Sequence, residues 1–247
     1  MCAAITGVTP EYGLLLEQNR AGDVLIQVEA DVDSEYDYEL LGYITPKKMG
    51  QAYHCPVFNG LSKQTTSEQL MDLGTQLNIH GIVPMFHVVG VTPEAADVHT
   101  AFLGRKDPPV VTITNEDLAQ ARAEISAGTG KADFCILGCP HLTINQVGSI
   151  AKMLDGQQLA GQLYIFTSTS TKELAQRMGY LDIIHKAGGE IVINSCVDQP
   201  CWSHLYGMSG VTESPKCAYY TKRWNMTFTV KSIPACIQSV LKGEIVS

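Results

Sequence analysis

An α/β fold with mostly parallel sheets is predicted by two features of this sequence. Short apolar runs, the size of buried strands, recur along the chain, and most are followed by a helix-start signal such as Thr66-Ser67-Glu68-Gln69 or Thr143 with Gln146. Strands alternating with capped helices build βαβ layers.

The first twenty residues are turn-rich, with Pro10 and Gly13, and predict no strong regular element. Val24–Val28 reads as a strand and Tyr36–Leu41 as a short helix. Residues 45–64, with Pro46, Pro56 and Gly60, read as loop. After the box at Thr66, Leu70, Met71, Leu73 and Leu77 mark the buried face of a helix. Ile82–Val89, carrying His87, reads as a strand, and Thr92-Pro93-Glu94 as the start of a further helix. Val110–Ile113 predicts a strand and Asn115–Ile125 a helix with Leu118, Ala121 and Ile125 inward. A break at 100–109 either separates two lobes, 1–105 and 106–247, or is one long surface loop.

Phe134–Leu137 predicts a buried strand, ended by Gly138 and followed by a helix with Ile144, Val147, Ala151 and Leu154 on one face. Leu163–Phe166 predicts the next strand, with Ser170 capping its helix. A further apolar run, Ile191–Cys196, preceded by Gly188-Gly189, predicts a strand that ends at Cys196. Pro200–Val211 reads as irregular, and Ser214–Tyr220 as irregular and exposed. Met226–Val230 closes the strands and Ile233–Leu241 the helices.

The composition bounds the function. Of 247 residues, 45% are hydrophobic and 17% charged, which suits a globular core. The net charge of −8, without a basic patch interleaved with aromatics, argues against nucleic acid. No apolar run approaches the roughly 20 residues that span a bilayer, and the first residues carry no secretory signal pattern. We therefore expect a cytoplasmic protein that acts on neither membrane nor nucleic acid, its eight cysteines reduced.

Cys139 and His141 lie on a strand-to-helix turn, where open α/β sheets bind ligands. A thiol there is biased towards thiolate by the helix N-terminus. If the strands before Cys139 and Cys196 are parallel members of one sheet, both thiols emerge at one edge. Soft thiolates hold iron or iron–sulfur clusters, and Lys216 would neutralise a carboxylate or phosphate beside Ser214. Taken singly, each residue has a plainer reading: a core cysteine, a packed histidine, a solvated lysine.

Taken together, Thr9-Pro10-Glu11-Tyr12-Gly13 with Asn19-Arg20, the run from His87 to Ala95, Gly138-Cys139-Pro140-His141, Cys196, and Ser214-Pro215-Lys216-Cys217-Ala218-Tyr219-Tyr220 resemble the large catalytic subunit of the aconitase X family. The resemblance implies aconitase-like layers of helices around mostly parallel sheets. It also implies an iron-dependent hydro-lyase acting on a small hydroxy acid such as cis-3-hydroxy-L-proline or 5-phosphomevalonate. By that resemblance Cys139 and Cys196 are two of three ligands to a mononuclear iron or an iron–sulfur cluster. Ser214 and Lys216 form a Ser-x-Lys element at the substrate anion, His141 is a candidate general acid, and His87, Glu94, Asn19 and Arg20 are substrate-facing. The implied partner is a small swivelling subunit or domain.

The resemblance covers the C-terminal half to two-thirds of a large subunit. The family's further cysteine, in a Cys-x-Pro-Tyr segment, has no counterpart here, so a missing N-terminal half is expected as a second partner. Cys55, Cys135 and Cys201 are the alternative third ligands. Glu213 stands where the family usually has Asn, and Pro215 where it has a small residue. Two rival readings remain: a non-catalytic fragment or pseudoenzyme of the same fold, and a metal-free enzyme using Cys139 with His141.

Overall fold

The core of the first half is β1 (Val24–Val28), flanked on both sides by parallel partners. The computed structural model describes residues 1–126 and 130–246. One sheet has the order β3-β2-β1-β4, with β2 at Pro56–Asn59, β3 at His87–Val88 and β4 at Val110–Ile113. The second has the order β7-β6-β5-β8-β9: β5 is Phe134–Leu137, β6 Gln162–Thr167, β7 Gly189–Ile193, β8 Ser209–Thr212 and β9 Thr227–Val230. Every pairing within both sheets is parallel, so each sheet presents all its carboxyl ends at one rim.

Ten α-helices among the described residues connect and cover these strands: α1 (Cys2–Thr6), α2 (Glu35–Met49), α3 (Ser67–Gln76), α4 (Val98–Ala101), α5 (Asn115–Ile125), α6 (Ile144–Leu154), α7 (Thr169–Arg177), α8 (Tyr180–Ala187), α9 (Pro215–Thr221) and α10 (Ile233–Lys242). The capping boxes at Thr66 and Thr143 form: each hydroxyl accepts the amide three residues on, and Gln69 and Gln146 return the bond. Leu142 and Val147 meet in one cluster, as a hydrophobic staple requires.

Several expectations are corrected. The helix expected at Tyr36–Leu41 runs on to Met49, because Pro46 sits in its last turn, where the core holds the chain helical. The expected loop 45–64 contains β2, whose Val57 and Phe58 are fully buried. The strand expected at Ile82–Val89 shrinks to His87–Val88. No helix starts at Thr92; its hydroxyl folds back onto the amide and carbonyl of Val88. Ser168, not Ser170, caps α7 by accepting from the amide of Thr171. The strand before Cys196 ends at Ile193, and Asn194 turns the chain with φ +53°. Residues 209–212 form β8, and the segment expected to be irregular and exposed at Ser214–Tyr220 contains helix α9. A division at 105/106 does not follow the sheets: β4 pairs with β1 and α5 packs on α2, so both belong to the first layer.

Candidate active site at the carboxyl rim of the second sheet

Cys139 leaves β5 through Gly138, a turn only glycine makes. Its φ is +116°, and a Cβ there would stand 2.3 Å from the carbonyl oxygen of Phe166. The two amides of this turn are held by one buried carboxylate: Glu213 Oε1 accepts from Gly138 N at 2.6 Å and from Cys139 N at 3.1 Å. Glu213 follows β8, the neighbour of β5, so its backbone starts at the same rim. Burial raises its carboxyl above the ordinary range, and the amides of Gly138 and Cys139 pull it down.

Ser214 caps α9. It is fully buried, and its Oγ accepts from Cys217 N at 3.2 Å. Gln76, at the end of α3 in the first layer, reaches across to this group. Its Nε2 donates to Ser214 Oγ at 3.3 Å and to the carbonyl of Cys139 at 3.5 Å, and its Oε1 accepts from Lys216 N at 2.9 Å. One amide side chain thus ties the cysteine turn, the serine and the first turn of α9 to the other sheet. Gln76 was not singled out from the sequence. The available signal was a glutamine beside Leu73 and Leu77 on the inward face of an amphipathic helix.

Cys196 lies three residues beyond β7, exposed, its Sγ accepting from Asp198 N at 3.4 Å. Since β5, β6 and β7 are parallel, both thiols belong to one carboxyl rim. The two segments are also joined directly: His141 Nε2 lies 3.1 Å from the carbonyl of Ser195, which requires the proton on Nε2. Val197 and Trp202 pack in the cluster that Cys139 contacts, and Trp202 Nε1 donates to Cys196 O at 3.2 Å.

The expected thiolate bias is overturned at Cys139. Burial pushes its thiol up to about 11, and the Glu213 carboxylate and Cys196 add to that. The Ser214 hydroxyl and the Lys216 ammonium act the other way, without prevailing. Of the alternative third ligands, Cys55 packs against the carbonyl of Arg20 in the first layer. Cys135 lies in the cluster under α6 and α10, separate from the one that Cys139 contacts, and Cys201 is exposed. The thiol that shares the neighbourhood is Cys217, buried in α9 and pushed well up by burial and then by Cys139. No three His, Cys, Asp or Glu side chains among the described residues stand close enough to hold one metal ion.

The residues expected to face the substrate from the first half group elsewhere. Arg20 Nε is 2.9 and 2.8 Å from the two oxygens of Glu94, and His87 Nε2 is 2.7 Å from the Arg20 carbonyl. Asn19 Nδ2 donates to Gly13 O at 2.8 Å. Arg20 precedes β1 and His87 begins β3, so this cluster sits at the amino rim of the first sheet. No hydrogen bond among the described residues links it to Cys139, His141, Ser214 or Lys216. Arg20, His87 and Glu94 line a separate cavity of about 160 Å³.

Two family models cover this architecture. The second domain of aconitase X matches residues 22–123, and the third domain of aconitase X matches residues 132–242. The chain belongs to the aconitase X family. The two matches divide it as its two sheets do. Among curated relatives it is 35% identical to the phosphomevalonate dehydratase large subunit of Methanothermobacter thermautotrophicus, over 89% of this chain and 53% of the relative. It is 33% identical to cis-3-hydroxy-L-proline dehydratase of Pseudomonas aeruginosa, over 81% of this chain and 36% of that protein. The crystal structure of Thermococcus kodakaraensis aconitase X in its holo-form superposes with a TM-score of 0.82 at 31% identity, over 96% of this chain and 60% of that one. The chain thus spans between a third and three-fifths of the length of these relatives. No helix among the described residues is long and apolar enough to cross a membrane.

Proposed function

We propose that this aconitase X chain is part of the large subunit of a hydro-lyase that removes water from a small hydroxy acid, working with a further N-terminal half and a small swivelling subunit. The observation that carries the reading is the bond from His141 to the Ser195 carbonyl. It joins the Cys139 turn to the Cys196 segment at the rim where Gln76 also anchors Ser214 and Lys216.

The donor set fits the iron centre of the family in part. Cys139 and Cys196 are soft donors on one rim, and the remaining ligands would come from outside the described residues. Bound there, iron would supply Lewis acidity towards a hydroxyl or carboxylate oxygen. The chain's own residues do the rest. The half-buried Lys216 offers an ammonium for the substrate's carboxylate or phosphate. Ser214, enclosed completely, orients the cysteine turn and does not touch the substrate. In dehydration a base takes the proton from a C–H bond beside a carboxyl, and the electron pair left behind forms a carbon–carbon double bond as the C–O bond on the next carbon breaks. The oxygen leaves with the electron pair and takes up a proton. With Nε2 engaged by Ser195, exposed His141 delivers that proton from Nδ1 as imidazolium. The relatives' names make a hydroxyproline or a phosphorylated mevalonate the first substrates to test.

The absence of a three-donor group among the described residues favours a second reading, a non-catalytic module of the same fold. The half-buried Cys139, its thiol pushed up to about 11, tells against a metal-free thiol enzyme. Anaerobic reconstitution with iron and sulfide decides. Iron retained by the chain together with its N-terminal and small-subunit partners, and lost in the Cys139→Ser, Cys196→Ser variant, supports the hydro-lyase. An assembled, folded complex that never takes up iron supports the module.

A further inference from the structure

A cavity of about 740 Å³ separates the carboxyl rims of the two sheets, and its charge is unbalanced. Four helices begin at it: α2, α3, α6 and α10, through Ser34, Thr66, Asn145 and Ser232. The positive ends of α2 and α3 are already matched by first-turn acids, and that of α6 by Glu68. Glu35 accepts from Gln146 Nε2 at 2.8 Å, Glu68 accepts from Thr143 Oγ1 and Asn145 Nδ2 at 3.2 Å each, and Asp37 closes the Ser34 box and pairs with Arg122. Glu213 is satisfied by the cysteine turn. Two carboxyls one turn deeper are left over. Glu39 and Asp72 are 2% and 4% exposed, and neither belongs to any ion pair among the described residues. Glu39 lines the cavity, and its Oε2, buried beneath the wall, has no hydrogen-bond partner among the described residues. An orphaned carboxylate oxygen in such a place costs free energy unless something positive or protic meets it.

We propose that Glu39 and Asp72 hold a hydrated divalent cation of the magnesium type between the two layers. Two hard oxygen donors, with no third His, Cys, Asp or Glu among the described residues close enough to complete a metal-binding group, suit an ion that keeps most of its water and takes one or two carboxylates. The ion sits where α2 and α3 of the first layer face Glu213 of the second, so it neutralises the seam between them. Burial raises the proton affinity of both carboxyls, and neighbouring acids add to it, Asp72 and Glu213 at Glu39 and Glu35, Glu213 and Glu68 at Asp72, the response expected of acids that lack a counter-ion. This site is distinct in chemistry from the thiols of the rim and stands whether or not the chain is a hydro-lyase.

The test uses the full chain. Magnesium chloride at 10 times its dissociation constant should raise Tm by about 3 °C over potassium chloride of equal ionic strength. The Glu39→Gln, Asp72→Asn double variant should lose that rise, and Cys139→Ser, Cys196→Ser should keep it. Should the double variant not fold, manganese added to the wild type gives a second reading. It should broaden amide signals of residues 35–39 and 68–72 first and leave those of Arg20 and His87 sharp. A wild type that shows no saturable rise, a rise that survives in the folded double variant, or broadening centred elsewhere overturns the site.

Discussion

Gln76 Nε2 stands 3.3 Å from Ser214 Oγ, although the two residues are 138 positions apart and belong to different sheets. Both are fully buried, so the bond replaces water that neither can reach. The rim geometry around Cys139 therefore depends on the first layer as much as on its own.

Removing that side chain should loosen both layers at once. Gln76→Ala leaves Lys216 N without its acceptor and the Ser214 hydroxyl without a donor, inside a new void. The expected loss is about 3 kcal/mol of unfolding free energy, read as a lower urea midpoint. Under the proposed hydro-lyase reading, iron retention by the chain with its partners should fall with it. A surface control such as Gln157→Ala should change neither.

The buried acids predict how stability varies with pH. Burial pushes the Asp72 carboxyl up to about 8, with Glu35, Glu213 and Glu68 adding to it, and the usual value is 3.8. Between those values the folded state binds a proton that the unfolded chain releases. Its contribution is complete below about pH 4 and is lost as pH rises towards 8. With divalent cations chelated, the urea midpoint should decline across that window. Asp72→Asn, which keeps the shape and cannot ionise, should flatten the decline and be the more stable protein at pH 8.

The parallel architecture was legible because it is written locally. Phe134–Leu137, Gly138 and the Thr143–Gln146 box each declare their element within a dozen residues. The elements that were missed depend on distant partners. Pro56–Asn59 is a strand because β1 and β3 enclose it, and α2 runs through Pro46 because ten of its fifteen residues are buried. At the site, the sequence supplied Cys139, Cys196 and His141, which do share a rim. It grouped Arg20, His87 and Glu94 with them, and sheet register puts these at another rim. Gln76 and the amide-binding role of Glu213 were not visible, since each acts on residues more than sixty positions away.

Thiol reactivity should follow enclosure. At pH 7.5 iodoacetamide should modify Cys2, Cys196 and Cys201, which are exposed. Cys139, with its thiol pushed up to about 11, and the enclosed Cys135, Cys217 and Cys236 should react only after unfolding. Peptide mass spectrometry over a time course reads each site separately, and early modification of Cys139 in the folded wild type would contradict the burial argument.

Gly138 offers the sharpest test of how the cysteine turn is made. Alanine there must adopt φ +116° and bring a Cβ within 2.3 Å of Phe166 O, which belongs to the backbone of β6 and has no room to withdraw. The turn then has to shift, and with it the two amides that Glu213 holds. Strain of this kind costs about 1–3 kcal/mol by itself, and freeing a buried carboxylate from two amides adds to it. Gly138→Ala should therefore lower the urea midpoint and speed modification of Cys139. Gly156→Ala is the control: its φ is also positive, at +70°, but it has open space around it and holds no turn at the rim. It should show the backbone cost alone, with Cys139 as protected as in the wild type.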